Sequence, residues 1–208
     1  MHPDWQNKVH LYSEDHSTPE PIHLQKVTEF TWKKMINPRQ LSGHLQGRLL
    51  ANLVAVKNPK CILEIGSFTG YSTACLAENI NEDAFIYSIE ADAETAFKTQ
   101  QFWKDYPFMN RVNWQVGPAL EVIPKLNILP DFIFVDADKK NYKNYLDLCL
   151  PILQKNGIIL FDNTCGVERS STKTNKKTTP TLKTCMSLIS TWHQKRIFLQ
   201  FFYHLGMD

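Results

Sequence analysis

The stretch that decides the fold is Cys61-Ile-Leu-Glu-Ile-Gly-Ser-Phe-Thr-Gly-Tyr-Ser72, in which a short apolar run leads into a glycine-bearing turn and then a helical segment. Four further segments share the β-branched or aromatic composition of this run and are bounded by Gly, Asp or Asn. They are Ala84–Ile89, Val112–Val116, Phe132–Val135 and Gly157–Phe161. The sequence therefore predicts five strands.

Helical segments alternate with these strands. Apolar residues at helical spacing predict a helix between consecutive strands and two more helices ahead of the first strand. The predicted helices are 21–34, 41–56, 71–79, 93–106, 119–126 and 142–154. Strands that alternate with such helices are joined by right-handed crossovers into a parallel sheet covered on both faces. The predicted fold class is therefore a doubly wound α/β fold with N-terminal helices.

Length and composition limit the function classes. A chain of 208 residues with 43% hydrophobic residues is long enough for one core and is not disordered throughout. Neither a membrane-spanning apolar run nor a signal peptide is found, so we expect a soluble, cytoplasmic protein with no membrane partner. Five cysteines without a CxxC pair favour reduced thiols over a disulfide framework or a structural zinc site.

The net charge of +2 is unevenly distributed. Residues 165–208 contain seven Lys or Arg and two acidic residues, whereas residues 1–164 contain sixteen basic and nineteen acidic residues. A basic tail that binds nucleic acid is one explanation. The tail lacks interleaved aromatic residues and any recognisable motif, so we expect no nucleic-acid partner.

Ligands of doubly wound sheets bind outside the carboxyl ends of the strands. The turn after the first strand places Gly66 and Gly70 ahead of a helix, where glycine lets the backbone approach a ligand. Its GxxxG spacing differs from the GxGxxG of dinucleotide sites, and Glu64 suits a cationic amino group better than a phosphate. A purely structural strand-to-helix turn explains this segment nearly as well.

The second strand is followed by Glu90, which is placed to accept hydrogen bonds from the two ribose hydroxyls of a nucleoside. On its own, an acid at a helix N-terminus explains Glu90 better. Together with Glu64 and Gly66, it favours a nucleoside with a methionine-like end.

Residues with oxygen-bearing side chains follow two later strands. Asp136 follows the fourth strand, and Asp162 with Asn163 follows the fifth, which is the donor set that Mg²⁺ takes. A helix cap and an Asp-Asn turn explain each residue separately but not their convergence. A dication and a sulfonium beside Lys139 would disfavour its ammonium form and suit it to general base work, although an isolated lysine is more often solvated.

These segments resemble the cation-dependent O-methyltransferases, the group that contains catechol and caffeoyl-CoA O-methyltransferases. The resemblance covers roughly residues 11–164, and Ser42–Gly47 is similar to the bacterial branch. The matching segments are Ile62–Ser72, Gly117–Ala119, Phe134–Lys139, Tyr142 with Tyr145, and Asp162–Thr164.

The resemblance implies a Rossmann-like class I methyltransferase core within residues 1–164, with S-adenosylmethionine as the cofactor and Mg²⁺ as the expected cation. Two adjacent phenolic oxygens of a catechol-like acceptor would chelate the metal, Lys139 would take a proton, and the phenolate would attack the sulfonium methyl. A homodimer is expected on the same ground. The implied metal ligands are Asp136, Asp162 and Asn163. The implied cofactor-binding residues are Ser42, Glu64, Gly66, Ser67, Ser72, Glu90, Ala119 and Asp138.

Residues 165–208 depart from the family pattern and form an atypical tail. Codons chosen for three tail segments and read from the third base of the first codon encode family-like segments such as Leu-Trp-Ser-Gly-Lys, so we hypothesise a lost base near Thr164. A lineage-specific basic tail is the alternative. The tail's apolar run has no helical or strand period, which predicts no packed extension of the sheet. The alternative function is accordingly a catalytically impaired S-adenosylmethionine-binding protein or a pseudogene product.

Overall fold

Five parallel strands form one sheet in the order β3-β2-β1-β4-β5. The computed structural model of the protein describes residues 3–162. The strand bounds are β1 Cys61–Ile65, β2 Phe85–Glu90, β3 Val112–Val116, β4 Phe132–Val135 and β5 Ile158–Phe161. The five predicted strands and the parallel α/β class are therefore confirmed.

Helices cover both faces of the sheet. Along β1, Ile62 packs with one group of helices and Leu63 with the other, because successive strand side chains point to opposite faces. Helices α2 to α5 pack on the first face, and α6 and α7 pack on the second. The helices are α1 Pro3–Asp15, α2 Ile22–Lys34, α3 His44–Lys57, α4 Tyr71–Ala77, α5 Ala93–Trp103, α6 Ala119–Val122 and α7 Tyr142–Cys149.

One helix was not predicted, and the four helices predicted over 71–79, 93–106, 119–126 and 142–154 end earlier in the structure, at Ala77, Trp103, Val122 and Cys149. Helix α1 was not predicted, because its large apolar residues Trp5, Leu11 and Tyr12 are exposed and do not form one buried stripe. Helix α7 ends at Cys149 and not at residue 154. Pro151 follows closely and has no backbone N–H to donate the next hydrogen bond of the helix.

Strands β2 and β3 lie on one side of β1, and β4 and β5 lie on the other. The topological switch point of the sheet is therefore between β1 and β4. Backbone pairing continues past the strand ends. The Asp136 amide donates to the Ile65 carbonyl at 2.9 Å, and the Asp162 amide donates to the Val135 carbonyl at 2.9 Å. The loops after β1, β4 and β5 therefore lie side by side.

Several predictions fall on residues 163–208, outside the described residues. These are the Asn163 ligand, the boundary after residue 164 and the unpacked tail. Between residues 3 and 162, no helix is both long and apolar enough to cross a membrane. Cys61, Cys75 and Cys149 are free thiols, as expected for this part of the chain.

Candidate functional site

A cavity of about 710 Å³ opens at the carboxyl ends of the strands. Its wall combines residues that follow each of the five strands with the segment that leads into α3 and the first turn of that helix. Most of the predicted site residues lie on this wall. They are Ser42, Gly66, Ser67, Ser72, Glu90, Ala119, Asp136, Asp138, Lys139 and Asp162.

The glycines of the turn after β1 are required mainly by protein neighbours. Gly66 has a φ of +92°, and a Cβ atom there would stand 2.1 Å from the Asp136 carbonyl oxygen. Gly70 has a φ of +77°, and a Cβ atom there would stand 2.6 Å from the Trp103 indole nitrogen. Both glycines were expected to let a ligand approach the backbone, and in the structure Asp136 and Trp103 also leave no room for a side chain at these positions.

Glu64 is completely buried and does not line the cavity. It belongs to the side of β1 that faces α4, where its Oε2 accepts hydrogen bonds from Thr73 Oγ1 at 2.5 Å and Ser88 Oγ at 2.6 Å. Burial raises the pKa of the Glu64 carboxyl, and hydrogen bonds from Ser72, Ser88 and Thr73 partly offset this effect. Glu64, predicted to contact a cofactor amino group, thus lies behind the cavity wall in this structure, and its Oε1 has no hydrogen-bond partner among the described residues.

We expect Glu64→Gln to flatten the pH dependence of stability. The folded state keeps the Glu64 proton to a higher pH than the unfolded state, so unfolding releases a proton and becomes easier as the pH rises. The free energy of unfolding of the wild type should therefore fall more steeply than that of Glu64→Gln from about pH 4.5 upward. Urea titrations at several pH values measure this, with the exposed Glu82→Gln as the control. Parallel curves for the wild type and Glu64→Gln would refute the prediction.

Glu90 faces the glycine turn. Its Oε2 accepts a hydrogen bond from the Phe68 amide at 2.8 Å, and its Oε1 accepts one from the Asp92 amide at 2.9 Å. Burial raises the pKa of the Glu90 carboxyl, and these amides partly offset the shift. Each carboxylate oxygen can accept more than one hydrogen bond, so this fixed carboxylate can still accept from ligand hydroxyls.

The carboxyl groups of Asp136 and Asp162 are close enough for each to affect the ionisation of the other. Burial and the neighbouring Asp162 raise the pKa of Asp136 well above its usual range, while the positive charge of Lys139 opposes the shift. Two ionised carboxylates this close repel each other unless a proton or a cation lies between them. The pair therefore fits two oxygen ligands of a hard divalent cation.

Other ligands for a cation must come from elsewhere. Within residues 3–162, no group of three or more His, Cys, Asp or Glu side chains is arranged to hold a metal. Asn163, the third predicted ligand, lies outside that range. Water or substrate oxygens commonly complete the shell of Mg²⁺.

The loop after β4 is held by its own side chains. Asp138 accepts hydrogen bonds from the Tyr145 hydroxyl and, at 2.6 Å, from the Asn141 amide. Lys139 begins the short 3-10 turn Lys139–Asn141 and lies on the cavity wall beside Asp136. The loop thus places two acids, Asp136 and Asp138, and one amine, Lys139, on the same cavity wall.

Three cavity residues before and at the start of α3 were not predicted as site residues. Arg39, Gln40 and Gln46 line the cavity beside Ser42, and Gln46 is only 6% exposed. A signal was present, since Gln46 lies four residues before the buried Leu50 and so shares its helix face.

Comparisons with known proteins agree with this geometry. The family model described as O-methyltransferase matches residues 14–188, so the match continues beyond residue 164, where the resemblance was expected to end. Caffeoyl-CoA O-methyltransferase 2 of Petunia hybrida is 32% identical, over 70% of this chain and 62% of its own length. A probable caffeoyl-CoA O-methyltransferase 2 of Dictyostelium discoideum is 27% identical, over 76% of this chain and 71% of its own. The chain thus spans less than two thirds of the Petunia relative.

A solved structure shares the fold. The SAH-bound methyltransferase PaMTH1 of Podospora anserina superposes with a TM-score of 0.81 and 27% identity, covering 94% of this chain and 88% of its own. The parallel sheet with helices on both faces is therefore an arrangement already known among methyltransferases.

Proposed function

The chain belongs to the O-methyltransferase family, and we propose that it transfers a methyl group from S-adenosylmethionine to a hydroxyl of a catechol-like acceptor with the help of a divalent cation. One observation carries the proposal. The neighbouring acids Asp136 and Asp162 lie on the wall of the same cavity as Glu90 and the Gly66 turn. The residues proposed for the nucleoside and those proposed for the cation thus face one space.

The cofactor's ribose is assigned to Glu90, whose carboxylate is already oriented by two backbone amides. An acidic residue after the second strand binds ribose hydroxyls in Rossmann-type sites. Gly66, Ser67 and Ser72 line the cavity near the start of α4 and are proposed to contact the rest of the cofactor. S-adenosylmethionine in complex with relatives of this fold supports the assignment.

Asp136 and Asp162 are proposed as cation ligands, with Asn163 as the third. When bound, the cation supplies Lewis acidity that lowers the pKa of a coordinated phenol and orients two neighbouring oxygens. The relatives named as caffeoyl-CoA O-methyltransferases support an acceptor with neighbouring oxygens on an aromatic ring.

Lys139 is proposed as the general base. Its amine follows Asp136 by three residues and lies on the same cavity wall, so it can accept the proton of the attacking hydroxyl. Removal of that proton leaves a phenolate, which is the nucleophile that methyl transfer requires.

A methyl-transfer assay tests the proposal. The full chain is incubated with S-adenosylmethionine labelled in its methyl group, Mg²⁺ and a panel of catechols, and labelled product is measured with and without EDTA. We expect product from vicinal diols only, and none with EDTA. Turnover that EDTA leaves unchanged would remove the cation from the proposal, and cofactor binding without turnover would support the catalytically impaired alternative.

Replacement of Lys139 by Met is expected to lower kcat about 100-fold while the KM for the cofactor changes little, because general base catalysis contributes on the order of 10²–10⁴. Steady-state kinetics at saturating cofactor measure the effect. Lys143→Met serves as the control, since Lys143 pairs with Asp147 on the surface of α7. Equal kcat values for Lys139→Met and the wild type would assign the base elsewhere.

A further inference from the structure

We propose that Thr99 of α5 is a positioning residue for cofactor binding. Its hydroxyl fixes the turn after β1 so that the Phe68 amide stays on the carboxylate of Glu90, the residue assigned to the ribose. The inference rests on the proposed function. It gives a role to a buried residue that does not line the cavity and that belongs to none of the motifs found in the sequence.

Phe68 has a backbone conformation that is uncommon for a residue with a side chain. Its φ is +49°, in the left-handed region that glycine adopts more easily. Such a conformation persists where the surrounding structure holds it in place. Because Phe68 lines the cavity, the contacts that hold it also decide the shape of this part of the wall.

Two side chains of α5 hold the carbonyl groups of the turn. Thr99 Oγ1 donates a hydrogen bond to the Phe68 carbonyl at 2.8 Å, and the Trp103 indole N–H donates one to the Thr69 carbonyl at 2.9 Å. Thr99 and Trp103 are both 0% exposed, so water cannot readily replace either donor. Two successive carbonyls of the turn therefore depend on residues that lie 31 and 34 positions later in the chain.

The amide of Phe68 faces β2. It donates to Glu90 Oε2 at 2.8 Å, while the carbonyl of the same residue accepts from Thr99. Loss of the Thr99 donor would let the Phe68 carbonyl turn, and the peptide group on the other side of Phe68 would turn with it. The Glu90 carboxylate would then lose one of the two backbone amides that orient it.

Orientation of Glu90 affects ligand affinity directly. A carboxylate that is already ordered loses less conformational entropy when it binds two ribose hydroxyls. Without the Phe68 amide, the Glu90 side chain must be ordered at the moment of binding. Thr99 therefore contributes to cofactor affinity through Phe68 and Glu90, without touching the cofactor.

Calorimetry with S-adenosylhomocysteine on the full chain tests this role. Thr99→Val keeps the size of the side chain but removes the donor, so we expect the Kd to rise about tenfold, the order of one hydrogen bond to a charged group. Thr99→Ser keeps the donor but removes a buried methyl group. Its Kd should stay within about twofold of the wild type, although urea unfolding should show that it is less stable. Affinity thus follows the hydroxyl and not the stability of the variant.

A double-mutant cycle tests whether Thr99 acts through Glu90. In Glu90→Ala the carboxylate assigned to the ribose is absent, so adding Thr99→Val should change the Kd by less than about twofold. Thr28→Val is the matched control. Thr28 Oγ1 donates to the Leu24 carbonyl at 2.9 Å within α2, so the substitution removes a hydrogen bond of the same kind away from the turn and should leave the Kd unchanged.

The outcomes separate this inference from the proposed function. Wild-type affinity of Thr99→Val, or its full effect in the Glu90→Ala background, would overturn the role of Thr99 alone. A tenfold loss of affinity in Thr99→Ser would do the same, and this result decides the matter even if Thr99→Val does not fold. A wild-type chain that does not bind S-adenosylhomocysteine would overturn the proposed function and the role of Thr99 with it.

Discussion

Asp136→Asn is expected to lower kcat/KM for a catechol at least about 1000-fold while the Kd for S-adenosylhomocysteine stays within about threefold of the wild type. The substitution keeps the shape of the side chain but removes one of the two charges proposed to hold the cation. Metal-ion catalysis contributes several kcal/mol of transition-state stabilisation, and each 1.36 kcal/mol corresponds to a factor of ten in rate. Initial rates over a Mg²⁺ titration, together with calorimetry, measure both effects.

Stability separates this loss from unfolding. Because Asp136 and Asp162 repel each other when both are ionised, the asparagine variant should be no less stable than the wild type in metal-free buffer near neutral pH. Asp147→Asn, an exposed carboxylate of α7, is the matched control and should keep full activity. Near-normal turnover by Asp136→Asn would show that the acid pair is structural and that any cation binds elsewhere.

Gly66→Ala should unfold the switch point of the sheet. The added Cβ atom would stand 2.1 Å from the Asp136 carbonyl oxygen, and the φ of +92° disfavours any residue with a side chain. Backbone cannot move aside as a flexible side chain can, so the loops after β1 and β4 must separate. We expect the free energy of unfolding to fall by about 4 kcal/mol or more. Single substitutions cause so large a loss only through a few mechanisms, and a steric clash in the core is one of them.

Gly43→Ala provides the matched control. Gly43 has a φ of +81°, but nothing lies within 4 Å of the Cβ position. Its cost should be the backbone strain alone, of order 1–3 kcal/mol. Urea unfolding of both variants gives the difference, which isolates the clash with the Asp136 carbonyl. If both variants lose the same free energy, the close passage of β1 and β4 is not what demands a glycine at position 66.

The strands, and the polar residues that follow them, could be predicted from the sequence. Each strand is a short apolar run, and the polar residue that follows it is adjacent in the chain. Parallel strands end at one edge of a sheet, so Glu90, Asp136 and Asp162 were expected to converge, and the structure brings them to one cavity. Local pattern was sufficient here because the sheet repeats the same strand-to-loop arrangement.

Helix α1 and the side-chain environment of Glu64 could not be predicted in this way. Helix α1 exposes its large apolar residues, so its sequence has no periodic apolar stripe that would predict a packed helix. Glu64 precedes the glycine turn in the chain, yet Thr73 and Ser88 hold its carboxylate inside the protein, away from the cavity. Which face of a strand is covered, and by which donors, depends on helices that lie elsewhere in the sequence.

Backbone preference and chain adjacency are enough to predict the sheet, the strand ends and the types of chemical groups placed there. By contrast, the packed chain was needed to show that the carbonyl of Asp136 requires a glycine at position 66 and that Gln46 of α3 lies on the cavity wall with no hydrogen-bond partner for its Nε2 within residues 3–162. These contacts join residues dozens of positions apart. They arise when the helices pack onto the sheet, and no local pattern encodes the distance between such residues.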